Sequence, residues 1–218
     1  MCIRESANLG LVLALTSIVS PVKVDNESLG LNYPMMIGAS FALMIVMYFF
    51  NGINWLIGSV FLIALIIFLV VAVTKSSHDQ EEDVEIDQSL NFSKSLILLL
   101  LGALGLYFGA DWFIKGAVNI AKSFNIDERI ISLSLVAIGT SIPELAASLI
   151  AAFKKQNGIA LGNLIGSNIF NILAVLGISS LFVDLSLEDT TLFYSDITWM
   201  IAFALMLYPL IKIGKKIC

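Results

Sequence analysis

The chain has 218 residues, of which 58% are hydrophobic and only 13% charged, and its formal net charge is −5. Soluble domains carry about 25% charged residues, whereas residues 28–74 and 156–183 here contain no Asp, Glu, Lys, Arg or His at all. This composition predicts an integral membrane protein, excludes a nucleic-acid binder with a basic face, and argues against a water-soluble enzyme.

Seven segments are apolar enough to be membrane-spanning helices, the first of them short, since a span needs about 20 apolar residues. Backbone groups in lipid must pair internally, which leaves helices or a closed barrel, and the alternating polar residues of a barrel lumen are absent. We therefore predict an all-α integral membrane protein. In chain order the predicted spans are Asn8–Ser20, Pro34–Phe50, Trp55–Val73, Ser95–Ile114, Ile130–Phe153, Gly158–Phe182 and Phe193–Ile211.

The basic residues predict the orientation of these spans. One side of the membrane collects eight Lys residues, and the other collects four basic residues, Arg4, Lys115, Lys122 and Arg129. Cytoplasmic loops carry the excess of Lys and Arg, so we place the acidic loop 75–93 and the C-terminus in the cytoplasm of a plasma (inner) membrane protein. The acidic residues of that loop are interpreted as a solvated linker, with a regulatory cation site as the alternative.

The sequence contains an internal repeat. Residues 8–19 match residues 171–182 at an offset of 163, and the tetrapeptide Phe-Ala-Leu-Met recurs at 41–44 and 203–206, with Gly52 opposite Gly214. Leucine-rich helices match by chance, but the colinear Asn, Ser and Phe-Ala-Leu-Met positions favour a true repeat. An odd number of spans separates the copies, so they have opposite orientation, which is typical of secondary transporters with a site near the bilayer midplane.

The fifth predicted span contains an unusual set of oxygen-bearing groups. Pro143 has no N–H, so the carbonyl of Gly139 lacks its helical donor, and Thr140 and Ser141 add hydroxyls at the same level. Glu144 follows one turn later, where an ionisable group costs about 2.5–3.5 kcal/mol or more. Hard cations prefer such carbonyl, hydroxyl and carboxylate oxygens, which predicts a cation site. The alternative is a capping box formed by Ser141 and Glu144.

The sixth predicted span adds a polar face. Asn163, Ser167 and Asn171 recur four residues apart and share one side of a helix. We expect Ser167 and Asn171 to be cation ligands, whereas Asn163 fits a ligand and an interhelical hydrogen-bond donor equally well. Asn168 points to another side and is interpreted as packing. Asn8, which matches Asn171 in the repeat, joins the candidate ligands.

These two motifs, Gly-Thr-Ser-Ile-Pro-Glu at 139–144 and Gly-Asn-Leu-Ile-Gly-Ser-Asn-Ile-Phe-Asn at 162–171, resemble the second alpha-repeat of the sodium/calcium exchanger family, within the cation/calcium exchanger superfamily. A weaker resemblance covers residues 8–75. The resemblance implies an inverted-repeat antiporter fold of ten spans in two halves joined by a cytoplasmic loop, with alternating access of Na⁺ and Ca²⁺ to a central site.

The resemblance also implies roles and boundaries. Glu144 would be the principal Ca²⁺ and Na⁺ carboxylate, with oxygens from Thr140 and Ser141 and Na⁺ sites lined by Ser167 and Asn171, a position where the family varies between Asn and Asp. Residues 1–74 would be a remnant of the first half, comprising the end of its alpha-repeat and two helices. Residues 75–93 would be the loop, and 94–218 the second half with its alpha-repeat at 130–182.

The chain departs from this pattern at both ends. No Pro-Glu motif precedes Asn8, and residues 3–7, Ile-Arg-Glu-Ser-Ala, do not match Gly-Ser-Asn-Ile-Phe. We therefore expect a truncated chain with about seven of ten spans and half of the cation site, which by itself transports poorly or not at all.

The predicted function is that of a calcium:sodium antiporter, a secondary active transporter and not an enzyme. Its expected partners are membrane lipid and the transported Ca²⁺ and Na⁺ ions, with no separate cofactor and no nucleic acid. One alternative is a Ca²⁺/cation exchanger driven by H⁺ or dependent on K⁺. The other is a non-transporting membrane subunit that completes its site by pairing with a complementary half-transporter chain.

Overall fold

The computed structural model of the chain describes residues 2–20, 22–23, 28–76, 91–127, 131, 134, 137–187, 190–214 and 216–217. The α-helices within them are α1 (Cys2–Ala7), α2 (Leu13–Val19), α3 (Tyr33–Phe50), α4 (Trp55–Ser76), α5 (Phe92–Ser123), α6 (Ala137–Thr140), α7 (Ile142–Phe153), α8 (Asn157–Phe170), α9 (Leu176–Phe182) and α10 (Thr190–Gly214). Most of the predicted acidic loop, with its alternative cation site, lies outside the described residues, as do residues 130, 132–133 and 135–136 of the predicted fifth span.

Wider π-helical turns and short strands complete the described structure. The π-helical turns are Asn8–Val12, Ser28–Asn32 and Asn171–Val175. The strands are β1 (Val22–Lys23), β2 (Gly52–Ile53), β3 (Leu185–Ser186) and β4 (Lys216–Ile217). They form two antiparallel pairs, β1 with β4 and β2 with β3. Each pair joins a segment from the first part of the chain to one from the last part.

Six helical stretches among the described residues are long and apolar enough to cross a membrane. They are Cys2–Val19, Gly30–Phe50, Trp55–Lys75, Phe92–Ser123, Gly158–Phe182 and Phe193–Leu210. The remaining predicted span, Ile130–Phe153, is not among them because its described part breaks at Ser141, and the helix after the break has 12 residues. At about 1.5 Å per residue this helix is shorter than the bilayer core.

The first span begins at Cys2, six residues before the predicted start at Asn8. The prediction was wrong because it treated Arg4 and Glu5 as interfacial charges outside the span. Both lie within α1, where Arg4 forms an ion pair with Glu144 and Glu5 is 1% exposed. A charged side chain is accommodated at membrane depth when it faces the protein interior and finds a partner.

The internal repeat is visible in the local structure of the two halves. Asn8 and Asn171 each begin a π-helical turn that is followed by a seven-residue α-helix, α2 or α9. Both helices end on an extended residue, Ser20 with φ −151° and ψ 128° and Val183 with φ −145° and ψ 132°. The predicted repeat is therefore confirmed over these elements, at the predicted offset of 163 residues.

The strand registers show the same relationship. Val22 pairs with Ile217 and Lys23 with Lys216, while Ile53 pairs with Leu185 and Gly52 with Ser186. β1 corresponds to β3 at the repeat offset of 163 (22 to 185 and 23 to 186), and β2 then corresponds to β4 at 164 (52 to 216 and 53 to 217), so the two pairs are copies of each other. This register matches Gly52 with Lys216, so the sequence match of Gly52 with Gly214 was wrong.

The helices of the two halves pack around α8, which lies at the centre of the protein. Leu161, Leu164, Ile165 and Ile169 of α8 are at most 1% exposed. Next to this core, the Tyr33 hydroxyl of α3 donates a hydrogen bond of 2.9 Å to the Ala204 carbonyl of α10.

In contrast, α5 and one face of α4 expose apolar surface: of the most apolar 18 residues, only 6% are buried in Phe92–Ser123 and 22% in Trp55–Lys75. Lipid is the solvent that such surfaces require.

Candidate cation site

The helix break at Ser141 positions the acidic group of the site. Ser141, with φ −94° and ψ 0°, separates α6 from α7, and its N–H donates to the Ile138 carbonyl at 3.0 Å. Pro143 stands in the first turn of α7, where its missing N–H does no harm to the new helix. The residues Gly139, Thr140 and Ser141 therefore lie together, one turn before Glu144, as the sequence predicted.

The capping-box alternative is not what the structure contains. Among the described residues, no side-chain capping bond is made at Ser141, the residue just before α7. The carboxylate of Glu144 instead reaches Arg4 of α1, with 2.7 Å between Glu144 Oε1 and Arg4 Nη2. Glu144 therefore does not serve to repair the helix end, and its side chain is available for interactions across the protein.

Glu144 has one carboxylate oxygen without a hydrogen-bond donor. The residue is 8% exposed, and Oε2 is buried with no hydrogen-bond partner within the described part of the chain. A buried unpaired carboxylate oxygen costs several times the free energy of an ordinary unmade hydrogen bond. A cation is the ligand that such an oxygen attracts most strongly.

Asn163 of α8 donates hydrogen bonds to α7, the helix that carries Glu144. Its Nδ2 donates to the backbone carbonyl of Glu144 at 3.1 Å and to Ser148 Oγ at 3.0 Å. The structure therefore shows Asn163 as an interhelical hydrogen-bond donor, which is one of its two predicted roles. Sequence reasoning did not single out Ser148, which is fully buried, although its position one turn after Glu144 places it on the same helix face.

A second polar group joins the two repeats. Asn8 Nδ2 donates to Ser167 Oγ at 3.3 Å and to Asn168 Oδ1 at 3.1 Å, and the Ser167 hydroxyl donates to the Leu164 carbonyl at 3.0 Å. Asn8 Oδ1 is buried and has no hydrogen-bond partner among the residues described. Asn168 is 1% exposed and was interpreted from sequence as a packing residue. In the structure it also accepts the hydrogen bond from Asn8 that links the two halves.

Asn171 faces a carboxylate that sequence reasoning missed. Glu5 of α1 is 1% exposed, and both of its carboxylate oxygens lack a hydrogen-bond partner in the described structure. The Asn171 side chain lies close to this carboxylate, but its Nδ2 does not reach hydrogen-bond geometry. The internal repeat could have identified Glu5. The offset of 163 that aligns Asn8 with Asn171 also aligns Glu5 with Asn168.

Arg4 is the other functional candidate that was missed. The same offset places it opposite Ser167, a predicted ligand. By sequence, Arg4 belongs with the basic residues of the loops, whereas in the structure its guanidinium contacts the Glu144 carboxylate. Without Arg4, the predicted outer side has three basic residues instead of four, against eight on the predicted cytoplasmic side. The predicted orientation is therefore unchanged.

The chemistry of these groups fits a hard cation better than a transition metal. Across the described residues, no three His, Cys, Asp or Glu side chains come together in a metal-binding group. Within the described part of the chain, the buried side-chain oxygens without a hydrogen-bond partner belong to Glu144, Glu5 and Asn8. The hydroxyls of Thr140, Ser141 and Ser167 lie on the neighbouring helix segments. Carboxylate, amide, hydroxyl and carbonyl oxygens are the ligands that Ca²⁺ and Na⁺ select.

Two copies of one helical unit, paired through equivalent strands and enclosing buried carboxylates within membrane-spanning helices, define the inverted-repeat class of secondary transporters. The family described as "Sodium/calcium exchanger protein" matches residues 6–74 and 94–215. The chain belongs to this family. Its members are transporters rather than enzymes, and the predicted fold class is confirmed.

Individual relatives agree with this assignment. Uncharacterized membrane protein MJ0091 of Methanocaldococcus jannaschii is 37% identical over 209 residues, which are 95% of this chain and 66% of that protein. Sodium/calcium exchanger MaX1 of Methanosarcina acetivorans is 40% identical over 126 residues, which are 58% of this chain and 36% of that protein. The alignments thus leave at least a third of each relative unmatched.

A solved structure shows the same fold. The sodium-calcium exchanger NCX_Mj, soaked with 2.5 mM Na⁺ and 1 mM Sr²⁺, superimposes with a TM-score of 0.76 at 36% sequence identity. The superposition covers 99% of this chain and 69% of that one. The described helices therefore occupy the arrangement of an exchanger of this family.

Proposed function

We propose that this protein is a calcium:sodium antiporter that moves Ca²⁺ against Na⁺ by alternating access. The observation that carries the proposal is the buried Glu144 Oε2, which has no hydrogen-bond donor within the described residues and stands just after the break between α6 and α7. In a membrane protein of the sodium/calcium exchanger family, a carboxylate oxygen without a partner at such a position is best explained as a ligand for the transported cation.

The proposed site combines groups from both repeats. Glu144 supplies the principal carboxylate, and the deeper oxygens come from the helix face that includes Ser167 and Asn171. The bond from Asn8 to Ser167 supports placing Asn8 beside that face. The proposed cation-binding residues are Gly139, Thr140, Ser141, Glu144, Asn163, Ser167, Asn171 and Asn8.

Exchange follows from competition for these oxygens. Ca²⁺ and Na⁺ are both hard cations that bind the same oxygen ligands, so one displaces the other. We assign residues 1–74 and 94–218 to the two halves, and rocking of one against the other opens the site to each side in turn. The Na⁺ gradient then sets the direction of Ca²⁺ movement, since a ligand shifts a conformational equilibrium only through its differential affinity.

The proposed environment is the plasma (inner) membrane, with loop 75–93 and the C-terminus in the cytoplasm. The excess of basic residues on that side supports this orientation. The pairing of β1 with β4 supports the same arrangement, because it brings Lys23 and Lys216 together, two residues that the topology places on one side. Membrane lipid would cover the outward apolar surfaces of α4 and α5.

The proposal is tested by reconstituting the purified chain into liposomes loaded with Na⁺ and measuring uptake of radioactive Ca²⁺. We expect slow uptake that depends on the outward Na⁺ gradient and is lost in Glu144→Gln. The matched control is Asp111→Asn, another carboxylate-to-amide change, at an exposed pair in which Lys115 Nζ lies 2.7 Å from Asp111 Oδ2. Equilibrium Ca²⁺ binding with Na⁺ as competitor measures the site directly.

Each outcome of these assays decides between functions. Ca²⁺ binding that Na⁺ displaces and Glu144→Gln abolishes supports the antiporter, and its absence from the folded protein contradicts it. Uptake driven by a pH gradient, or only with K⁺ present, favours an H⁺- or K⁺-dependent Ca²⁺/cation exchanger instead. Uptake that appears only when a complementary half-transporter chain is co-reconstituted favours the subunit function.

A further inference from the structure

The guanidinium of Arg4 enters the candidate cation site from α1. Its Nη2 lies 2.7 Å from Glu144 Oε1, and the side chains are 34% and 11% exposed, respectively. Arg4 Nε is buried without a hydrogen-bond partner in the part of the structure described. The interaction therefore directs a permanent positive charge at the carboxylate on which the proposed function depends.

The repeat shows what Arg4 replaces. Ser167 occupies the matching position in the second half, where its hydroxyl accepts a hydrogen bond from Asn8. In the first half, the same position carries a guanidinium, which has five N–H donors and no acceptor atom. A group that cannot bind a cation thus stands where the repeat predicts a cation ligand.

We propose that Arg4 is a tethered cation that occupies the Glu144 side of the site and determines which free cations bind there. This inference rests on the proposed function. An arriving cation must displace the guanidinium from Oε1 or bind beside it. Coulomb repulsion from Arg4 is twice as large for Ca²⁺ as for Na⁺ at the same distance, so Arg4 weakens Ca²⁺ binding more than Na⁺ binding.

The inference is tested by equilibrium binding of radioactive Ca²⁺ and Na⁺ to the purified chain. Arg4→Ser installs the residue of the matching repeat position and frees Glu144. We expect Ca²⁺ affinity to rise by about tenfold or more and Na⁺ affinity to rise less, as the charge dependence of Coulomb repulsion requires. Arg4→Lys keeps the positive charge, so its Ca²⁺ affinity should stay close to that of the unaltered chain.

Two further variants separate a site effect from a structural one. Arg4→Ser combined with Glu144→Gln should lose the gained Ca²⁺ affinity, because the freed carboxylate is its source. Lys115→Ser breaks the exposed pair with Asp111 on α5 and should leave both affinities unchanged. A purely structural role for Arg4 would instead lower the binding of both ions in Arg4→Ser.

The results distinguish this inference from the function on which it rests. Ca²⁺ affinity that is equal in the unaltered chain and Arg4→Ser, and lost in Glu144→Gln, overturns the tethered cation and leaves the proposed function intact. No Ca²⁺ binding by folded Arg4→Ser overturns both. If Arg4→Ser fails to fold, the unaltered chain still tests the inference, because tight Ca²⁺ binding that depends on Glu144 contradicts it.

Discussion

Asn8 of the first repeat donates a hydrogen bond to Asn168 of the second, with 3.1 Å between Asn8 Nδ2 and Asn168 Oδ1. Both residues are at most 1% exposed, so the bond is made away from lipid and water. The repeat places Asn171 and Glu5 in the equivalent relationship. The two halves are therefore joined at their centre by two related polar contacts, one hydrogen-bonded and one between an amide and a carboxylate.

The Asn8–Asn168 bond should contribute measurably to stability. Asn168→Ala removes the acceptor and leaves the buried Asn8 amide with Ser167 alone, which should lower the free energy of unfolding by about 1–3 kcal/mol. Thermal unfolding in detergent measures the change. Asn119→Ala, at an exposed position of α5, is the matched control and should change stability by less than about 0.5 kcal/mol.

A double-mutant cycle isolates this contact from other effects of the substitution. Asn8→Ala combined with Asn168→Ala should show a coupling energy of about 0.6 kcal/mol and at most about 1.7 kcal/mol, the mean and the maximum found for hydrogen bonds between membrane helices. Strictly additive effects would contradict a direct interaction between the two amides.

Glu5 should lower the stability of the protein when no cation is present. Its buried carboxylate has no hydrogen-bond donor among the described residues, so Glu5→Gln removes a charge and supplies an N–H group. In buffer from which divalent cations are removed by a chelator, we expect the free energy of unfolding of Glu5→Gln to be about 1–3 kcal/mol higher than that of the unaltered protein. This is the cost of an unsatisfied buried polar group. Asp111→Asn, at an exposed carboxylate, should have no such effect, and a destabilised Glu5→Gln would show that the carboxylate has a protein partner.

The packing of α4 against α9 depends on Gly58. A Cβ at this position would contact Ser180 Oγ and would lie 2.8 Å from the backbone oxygen of Gly177. Because backbone cannot rotate away, Gly58→Ala should destabilise the protein by about 1–3 kcal/mol, as measured by thermal unfolding.

Gly102 provides the control for that substitution. It lies on α5, where a Cβ would meet no described atom of another segment within 4 Å, so Gly102→Ala should stabilise the helix by about 0.5–1 kcal/mol. The two glycine-to-alanine changes should therefore have opposite signs. Equal effects would contradict the close approach of α4 and α9.

The position of α6, and with it the Gly139 end of the cation site, depends on α5. A Cβ on Gly139 would contact Ile114 Cγ1 and lie 2.9 Å from Ile114 Cδ1. Gly139→Ala should therefore lower stability by about 1–3 kcal/mol through overpacking and reduce Glu144-dependent Ca²⁺ binding. Ile114→Ala creates the missing space, so the double variant should recover part of both losses.

Gly162 gives the comparison for the Gly139 prediction. It lies on α8, and a Cβ there would have no atom of another described segment within 4 Å, so Gly162→Ala should be tolerated. If Ile114→Ala fails to restore either stability or Ca²⁺ binding in the Gly139 variant, the contact between α5 and α6 does not position the site.

Much of the fold and part of the site could be predicted from local sequence. The helix break at 139–144 follows from Pro143, which cannot donate a backbone hydrogen bond, and the structure breaks at Ser141. The repeat could be read from Asn8 and Asn171 because each begins the same local sequence of turn and helix. These features depend on residues that are close together in the chain.

The contacts of Arg4 and Glu5 could not be predicted in this way. The sequence shows two charged residues near the start of an apolar segment, a pattern typical of the membrane interface. Only packing shows that α1 runs on into the protein interior, where Arg4 meets a carboxylate 140 positions away. Asn163 is a similar case. Its four-residue spacing from Ser167 places the two on one helix face, but the sequence does not show that the Glu144 carbonyl lies opposite that face.

Composition, hydrophobic segments and the repeat thus determined by themselves that this is a helical membrane protein with two inverted halves and an acidic motif at a helix break. Each of these depends on chain-local chemistry, namely transfer to lipid, helix periodicity and the missing N–H of proline. The tertiary structure alone decided which groups face Glu144. Glu144 can be paired at membrane depth only by a group that helix packing brings from elsewhere in the chain. That group is Arg4, which lies on α1 in the other half.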